Sequence, residues 1–141
     1  MRRPPKPLPI VDHDTKAYWE GCLRGELLLQ RCSACGAFRH PPSPMCSGCL
    51  STEHEWVSAK GTGTVYSFVI VRRAFHPAWE TDVPYVVAIV ELDEGPHIMT
   101  NVTDIDPDQI EIGMAVQVWF DQASDAIALP KFRTRQGVTA C

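Results

Sequence analysis

Apolar positions follow a helical spacing near the start of the chain and become strand-like runs further on. In "DHDTKAYWEGCLRGE" (12–26), Tyr18, Trp19, Cys22 and Leu23 make an apolar stripe at helical spacing. Asp12 or Asp14 can cap the start of this helix, and Gly25 can end it. "ELLLQRC" (26–32) and "HEWVSAK" (54–60) read as strands. From Gly61 the pattern is β throughout, and "GTVYSFVIVRR", "PYVVAIVEL", "HIMTNV", "AVQVWFDQA" and "AIALPKFRT" predict five strands. The turn signal "DEGP" ends the second of these. The acidic "DIDPDQIEIGM", with Pro107 and Gly113, connects the third to the fourth. Five short strands with one longer connector suggest a small closed barrel. The OB-fold is the five-stranded candidate, and periodicity alone leaves a small sandwich and an SH3-like barrel open.

Four cysteines interrupt the strand pattern as two C-x-x-C pairs, Cys32/Cys35 and Cys46/Cys49, ten residues apart. A C-x-x-C turn points two sulfurs at one centre, and two such turns supply the four thiolates of a tetrahedral zinc site. Gly36 after the first pair and Gly48 inside the second suit the tight backbone of zinc knuckles. The linker "GAFRHPPSPM" is short and stiffened by proline. An iron site and a redox or disulfide pair are the competing readings. A thioredoxin-type motif would be single and would open a helix in a βαβ unit. A complete thiolate set leaves no open position for water, so the expected metal is structural. His40 and His54 nearby read as polar surface residues, Cys22 as a core cysteine on the helix and Cys141 as a tail thiol.

Composition narrows the class. The chain has 141 residues, enough for one domain or two small modules. Residues 1–11, with Pro4, Pro5, Pro7 and Pro9, are expected to be extended or disordered until bound. No run of 18 apolar residues is present, and the basic start "MRRPPKPLPIVDHD" is not followed by an apolar stretch. No membrane span or export signal is therefore expected, which points to the reducing cytoplasm. Charge is uneven: residues 1–60 carry eight Lys/Arg and six Asp/Glu, and residues 61–141 carry five and eleven. Tyr66, Phe68, Trp119, Phe120 and Phe132 offer stacking faces for single-stranded nucleic acid, but an acidic barrel repels phosphate. No nucleic-acid partner is expected. There is no G-x-S-x-G, P-loop or G-x-G-x-x-G motif, and no catalytic residue is assigned.

The order "WEGCLRGELLLQRCSACG", "CSGC", "GTGTVYSFVIV", "PYVVAIVELDEGP", "IGMAVQVWF" and "LPKFR" resembles the zinc-ribbon/OB-fold accessory proteins of acyl-CoA metabolism, the domain of unknown function thirty-five. The likeness runs from about residue 15 to 135. It implies a mostly β protein: a tail and helical arm over 1–25, a rubredoxin-like zinc ribbon over 26–60, and a five-stranded OB-fold barrel over 61–141. It also implies a non-catalytic subunit that docks on a thiolase-fold enzyme, or alternatively on an enoyl-CoA hydratase-like subunit, with acyl-CoA as a candidate ligand. A stand-alone acyl-CoA-binding protein is a further alternative. Arg72, Arg73, Lys131 and Arg133, with Arg135 beside them, are candidates for CoA phosphates. Trp19 on the helix and Phe75, His76 and Trp79 in the long loop after the first barrel strand are candidate partner contacts.

Overall fold

The computed structural model describes residues 5–135. The helix α1 spans Lys16–Leu23. Neither candidate cap sits at the N-cap, which is Thr15 and has no side-chain cap bond. Asp12 instead closes the turn before the helix, where Thr15 N donates to Asp12 Oδ1 at 2.9 Å and Asp12 N donates to Thr15 Oγ1 at 3.1 Å. Gly25 ends the helix at φ +80°, with Gly25 N bonded to Cys22 O and Glu26 N to Gly21 O, both bonds of a Schellman motif.

The chain then forms a three-stranded antiparallel sheet in the order β2-β1-β3, from β1 (Leu28–Cys32), β2 (Phe38–Arg39) and β3 (His54–Ser58). The two-residue β2 is too short to show any periodicity, so the sequence pattern does not reveal it. Gln30, only 2% exposed at the centre of β1, organises this sheet. Its Oε1 accepts from Arg39 Nε and from Ser43 N, each at 2.8 Å. A buried amide oxygen without donors would be costly, and here it fixes the linker between the two cysteine pairs onto β1.

Five strands follow: β4 (Thr62–Val71), β5 (Tyr85–Leu92), β6 (His97–Thr103), β7 (Ala115–Gln122) and β8 (Ala128–Thr134). They close in the order β4-β5-β6-β8-β7, with β7 returning to β4. All pairings are antiparallel except β6 with β8, which share only Val102↔Phe132 and Thr103↔Arg133. This closed five-stranded order is the OB-fold, and it removes the sandwich and SH3-like alternatives. A bulge between Val65 and Ser67 bends the long first strand. Two short 3₁₀ turns, Pro77–Trp79 and Pro107–Gln109, lie in segments expected to be irregular, and β4 ends before Arg72.

The core is continuous from helix to barrel. Val65, Val86, Ala88, Val90, Leu92, Ile98, Val102, Val116 and the fully buried Phe132 fill the barrel. Tyr18, Cys22, Leu27 and Leu29 belong to the same cluster, and α1 lies against β1, β7 and β8. The helix is therefore packed into the core rather than extended as an arm. Residues 5–11 carry no regular structure, but Lys6 is ion-paired with Asp82 and its ammonium lies 5.8 Å over the Trp79 ring.

Gly63 sits where β4 meets both β5 and β7, paired with Leu92 and Val116. A Cβ there would lie 2.3 Å from Glu91 O and 2.9 Å from Val90 Cγ1. Backbone cannot move aside, so Gly63→Ala should destabilise the fold by about 1–3 kcal/mol. Urea denaturation checks this as a lowered midpoint with an unchanged slope.

Candidate metal centre and flanking surfaces

The two C-x-x-C turns are built alike. Gly36 N donates to Cys32 O at 2.9 Å, and Leu50 N donates to Cys46 O at 2.9 Å. Cys32 N reaches Ala37 O, and Cys46 N reaches Ser51 O. The residue after each pair takes left-handed backbone: Gly36 at φ +78° and Leu50 at φ +65°. In the second knuckle it is Leu50, not the glycine inside the pair, that occupies the special conformation. Gly48 has no positive φ.

These turns bring the four sulfurs within 4.8 Å of one another. Cys32 Sγ lies 3.5 Å from Cys49 Sγ, and Cys35 Sγ lies 3.7 Å from Cys46 Sγ. None of the four is disulfide-bonded. Metal–sulfur bonds of about 2.3 Å in a tetrahedron place sulfurs about 3.8 Å apart, so the spacing fits one metal ion held by four thiolates. The amides also prepare the charge. The Cys35 N–H, with that of Ala34, draws the Cys32 thiol down to about 6. The Cys49 and Gly48 amides lower Cys46. At Cys49 the Ser51 amide pulls down, but the neighbouring Cys32, Cys35 and Cys46 sulfurs outweigh it and push the thiol up to about 11. Four crowded sulfurs cannot all be anionic without a cation at their centre. Cys32 and Cys46 are buried, while Cys35 and Cys49 face outward.

The other cysteines and histidines divide differently. Cys22 is buried on α1, and burial pushes its thiol up to about 11, so it is an unreactive core group. Cys141 lies outside the described residues. His40 and His54 are half-buried rather than exposed. His40 stacks against Tyr18 with centroids 5.3 Å apart, and burial lowers its pKa to about 4. His54 is half-buried edge-on to Trp56, with Nε2 3.4 Å from Gln30 Nε2.

The four cations singled out for phosphate do not form one cluster around a single strand. Arg72 and Arg73 leave β4, whereas Lys131 and Arg133 stand on β8, and β7 separates those strands. Three of them have partners: Arg72 pairs with Asp108 at 2.8 Å, Lys131 with Asp121 at 2.7 Å, and Arg73 lies over the Phe75 ring at 5.8 Å. Arg133 is exposed and borders a polar cleft with Asp104, Gln117 and Thr134. Among the aromatic positions, Phe75 is 86% exposed. His76 Nδ1 accepts from Ala78 N at 3.0 Å and so caps the Pro77–Trp79 turn. That fixes its acceptor nitrogen and orients Trp79, edge-on at 5.3 Å. The sequence gives no hint of this capping role beyond the proline that follows. Trp19 is half-buried, edge-on to Tyr18.

Two clefts adjoin β6 and β8. One, of about 350 Å³, lies between the helix and ribbon on one side and the barrel on the other, lined by Trp19, Tyr18, His40, Met99, Pro130 and Lys131. The second, of about 280 Å³, includes Trp79, Tyr85, Val86, Ile105 and the tail residue Lys6. Asn101 and Lys131 line both. Of the aromatics that invited a nucleic-acid reading, Phe132 is buried and Phe68 and Phe120 pack on the core. The Trp119 indole donates to Thr103 Oγ1 at 2.7 Å, and only Tyr66 is exposed, stacked on His97.

A tetrathiolate ribbon set on an OB-fold barrel through a shared core defines a two-module β protein with a metal site. The family model described as "ChsH2, rubredoxin-like zinc ribbon domain" matches residues 19–55, and "ChsH2, C-terminal OB-fold domain" matches residues 56–121. The chain belongs to the DUF35 family of zinc-ribbon/OB-fold proteins. It is 37% identical over 95 residues to a "DUF35 domain-containing scaffold protein" of Methanocaldococcus jannaschii, covering 67% of each chain. It is 44% identical over 128 residues to a "Probable enoyl-CoA hydratase alpha subunit" of Thermomonospora curvata. That match takes in 91% of this chain but only 40% of the relative, so this chain spans well under half the relative's length. Among solved structures, "Ltp2-ChsH2(DUF35) aldolase" superimposes with a TM-score of 0.82 at 43% identity, covering 90% of this chain and 98% of that one. No helix among the described residues is long and apolar enough to cross a membrane.

The unequal knuckles give a paired expectation. Leu50 holds left-handed backbone that costs a non-glycine residue about 1 kcal/mol, and its side chain is 67% exposed. Leu50→Gly should therefore raise the melting temperature, and Gly36→Ala should lower it. Differential scanning calorimetry on the metal-loaded protein checks both.

Proposed function

We propose that the chain is a zinc-bearing, non-catalytic subunit that docks on a thiolase-fold acyl-CoA enzyme and supports its active site. One observation carries this reading: the likeness to the DUF35 chain in "Ltp2-ChsH2(DUF35) aldolase" takes in almost all of that chain at 43% identity. The metal site agrees with a structural part. Four protein thiolates fill a tetrahedron, so Cys32, Cys35, Cys46 and Cys49 would hold the ion and leave no position for substrate. Zinc suits four thiolates in the cytoplasm, where we place the protein. The match to a hydratase alpha subunit favours a second reading, in which the partner is an enoyl-CoA hydratase-like subunit. Acyl-CoA remains the candidate ligand of the assembly. Lys131 borders both clefts and is the best placed of the four cations, provided a phosphate takes over its bond to Asp121. Single-stranded nucleic acid fits poorly, because most of the barrel's aromatic rings are engaged in packing and its charge is acidic.

Elemental analysis should return about one zinc per chain. Serine in place of any one of the four cysteines should lower both zinc content and folded yield, since binding and folding are coupled. Folded protein free of zinc would remove the metal assignment.

Co-expression with a thiolase-fold or enoyl-CoA hydratase-like subunit tests the partnership. A complex should persist through size exclusion, the chain alone should turn over no acyl-CoA, and its addition should restore activity to the partner. Separate elution of the two proteins, with the partner fully active alone, would end this reading.

A further inference from the structure

The barrel has an outer face that is apolar where a one-sided sheet should be polar. Inward positions on β5 are Val86, Ala88, Val90 and Leu92, all buried. The alternate, outward positions are Tyr85, Val87 and Ile89, with Glu91 the first charge. The register extends this face across both neighbours. Val69 and Asn101 flank Val87, and Ser67 and Met99 flank Ile89. Met99 is 72% and Val69 60% exposed, and Tyr66 stands beside them against His97. Antiparallel sheets with one solvated face alternate apolar and polar residues, and strands apolar on both sides belong to sheets covered on both sides. Here nothing among the described residues is packed over the second side: α1 lies against β1, β7 and β8.

Charge narrows what the cover is. The central rows contain no ionised side chain. One end of the strands is acidic, with Glu91, Asp93 and Glu94, while at the other end Arg72 and Arg73 stand with Asp104, Asp106 and Asp108, and Arg72 pairs with Asp108. A second copy that set the two Glu91 ends together would be penalised by like-charge repulsion. A complementary surface has an apolar centre with Lys and Arg opposite the Glu91 end. The face also runs into the cleft that holds Trp19, through Met99 and Asn101.

We propose that the outward face of β4, β5 and β6, centred on Val69, Ile89 and Met99, is where the enzyme subunit docks, through an apolar patch with basic residues at the edge that meets Glu91, Asp93 and Glu94. This rests on the accessory-subunit reading. It moves the main anchors from the Phe75–Trp79 loop to the sheet.

Binding is measured by titration against the Ltp2 chain of the 43% identical aldolase, using the full, zinc-loaded chain. Val69→Lys and Met99→Lys alter exposed side chains, so zinc content and melting temperature should stay at their wild-type values. Each should weaken the complex about thirtyfold or more, and added salt should weaken the wild-type complex. Ile112→Lys, equally exposed but on the β6–β7 connector, should leave affinity unchanged. A complex that forms and survives both sheet substitutions overturns the face while leaving the accessory-subunit reading intact. No complex with the wild-type chain overturns that reading and this inference with it. A wild-type chain that is dimeric alone, and that Met99→Lys makes monomeric, shows a second copy as the occupant and overturns the assignment to an enzyme.

Discussion

The contact on which the structure most depends is the apolar seam where Tyr18, Cys22, Leu27 and Leu29 enter the same core as Phe132 and Val116. A ribbon of three short strands has too little interior to stabilise itself. It relies on two constraints at opposite ends. The thiolate cluster ties its tip, and the seam ties its base to the barrel. Gly21 lets the helix come close to β1 at this base, since a Cβ there would lie 2.8 Å from Leu28. Because the seam is apolar and continuous, helix, ribbon and barrel hold one relative orientation, and whatever the ribbon touches is set by the barrel.

Two kinds of feature account for what the sequence revealed. Features encoded by nearest neighbours were legible: the C-x-x-C turns, the Gly25 stop and the alternation of the barrel strands all depend on residues a few positions apart. Features decided by distant partners were not. Lys131 and Arg72 look like free cations along the chain, yet Asp121 and Asp108 pair with them, the latter 36 residues away. His40 and His54 look polar, yet Tyr18 and Trp56 cover them. Gly48 looked like the flexible residue of the second knuckle because glycine is the usual signal, but the turn needs its left-handed residue one place after the pair. Leu50 stands there.

The barrel shows the same limit in its strongest form. Strands such as "PYVVAIVEL" are apolar at successive positions, and a sequence cannot say which of two apolar sides points inward. Only closure of the sheet separates Val86 and Val90 from Val87 and Ile89. The loop aromatics drew attention as contacts because they are conspicuous in a polar segment. In the structure His76 and Trp79 largely organise their own turn, with Lys6 laid across it. A residue type that stands out in sequence often has a local task, whereas a surface made of ordinary valines is easily overlooked.

The pairing of β6 with β8 bears on how the molecule breathes. Two register pairs join these strands, against eight between β4 and β5. Pro130 has no amide to add to the ladder, and the Thr100 hydroxyl reaches its carbonyl at 3.0 Å. Amide exchange and transient opening start where the fewest backbone bonds must break. This stave gap therefore sets the lowest-energy excursion of the barrel, and it lies under the two clefts that share Asn101 and Lys131. Small parting motions there widen both clefts together while the four-cysteine tip, at the far side of the seam, keeps its shape.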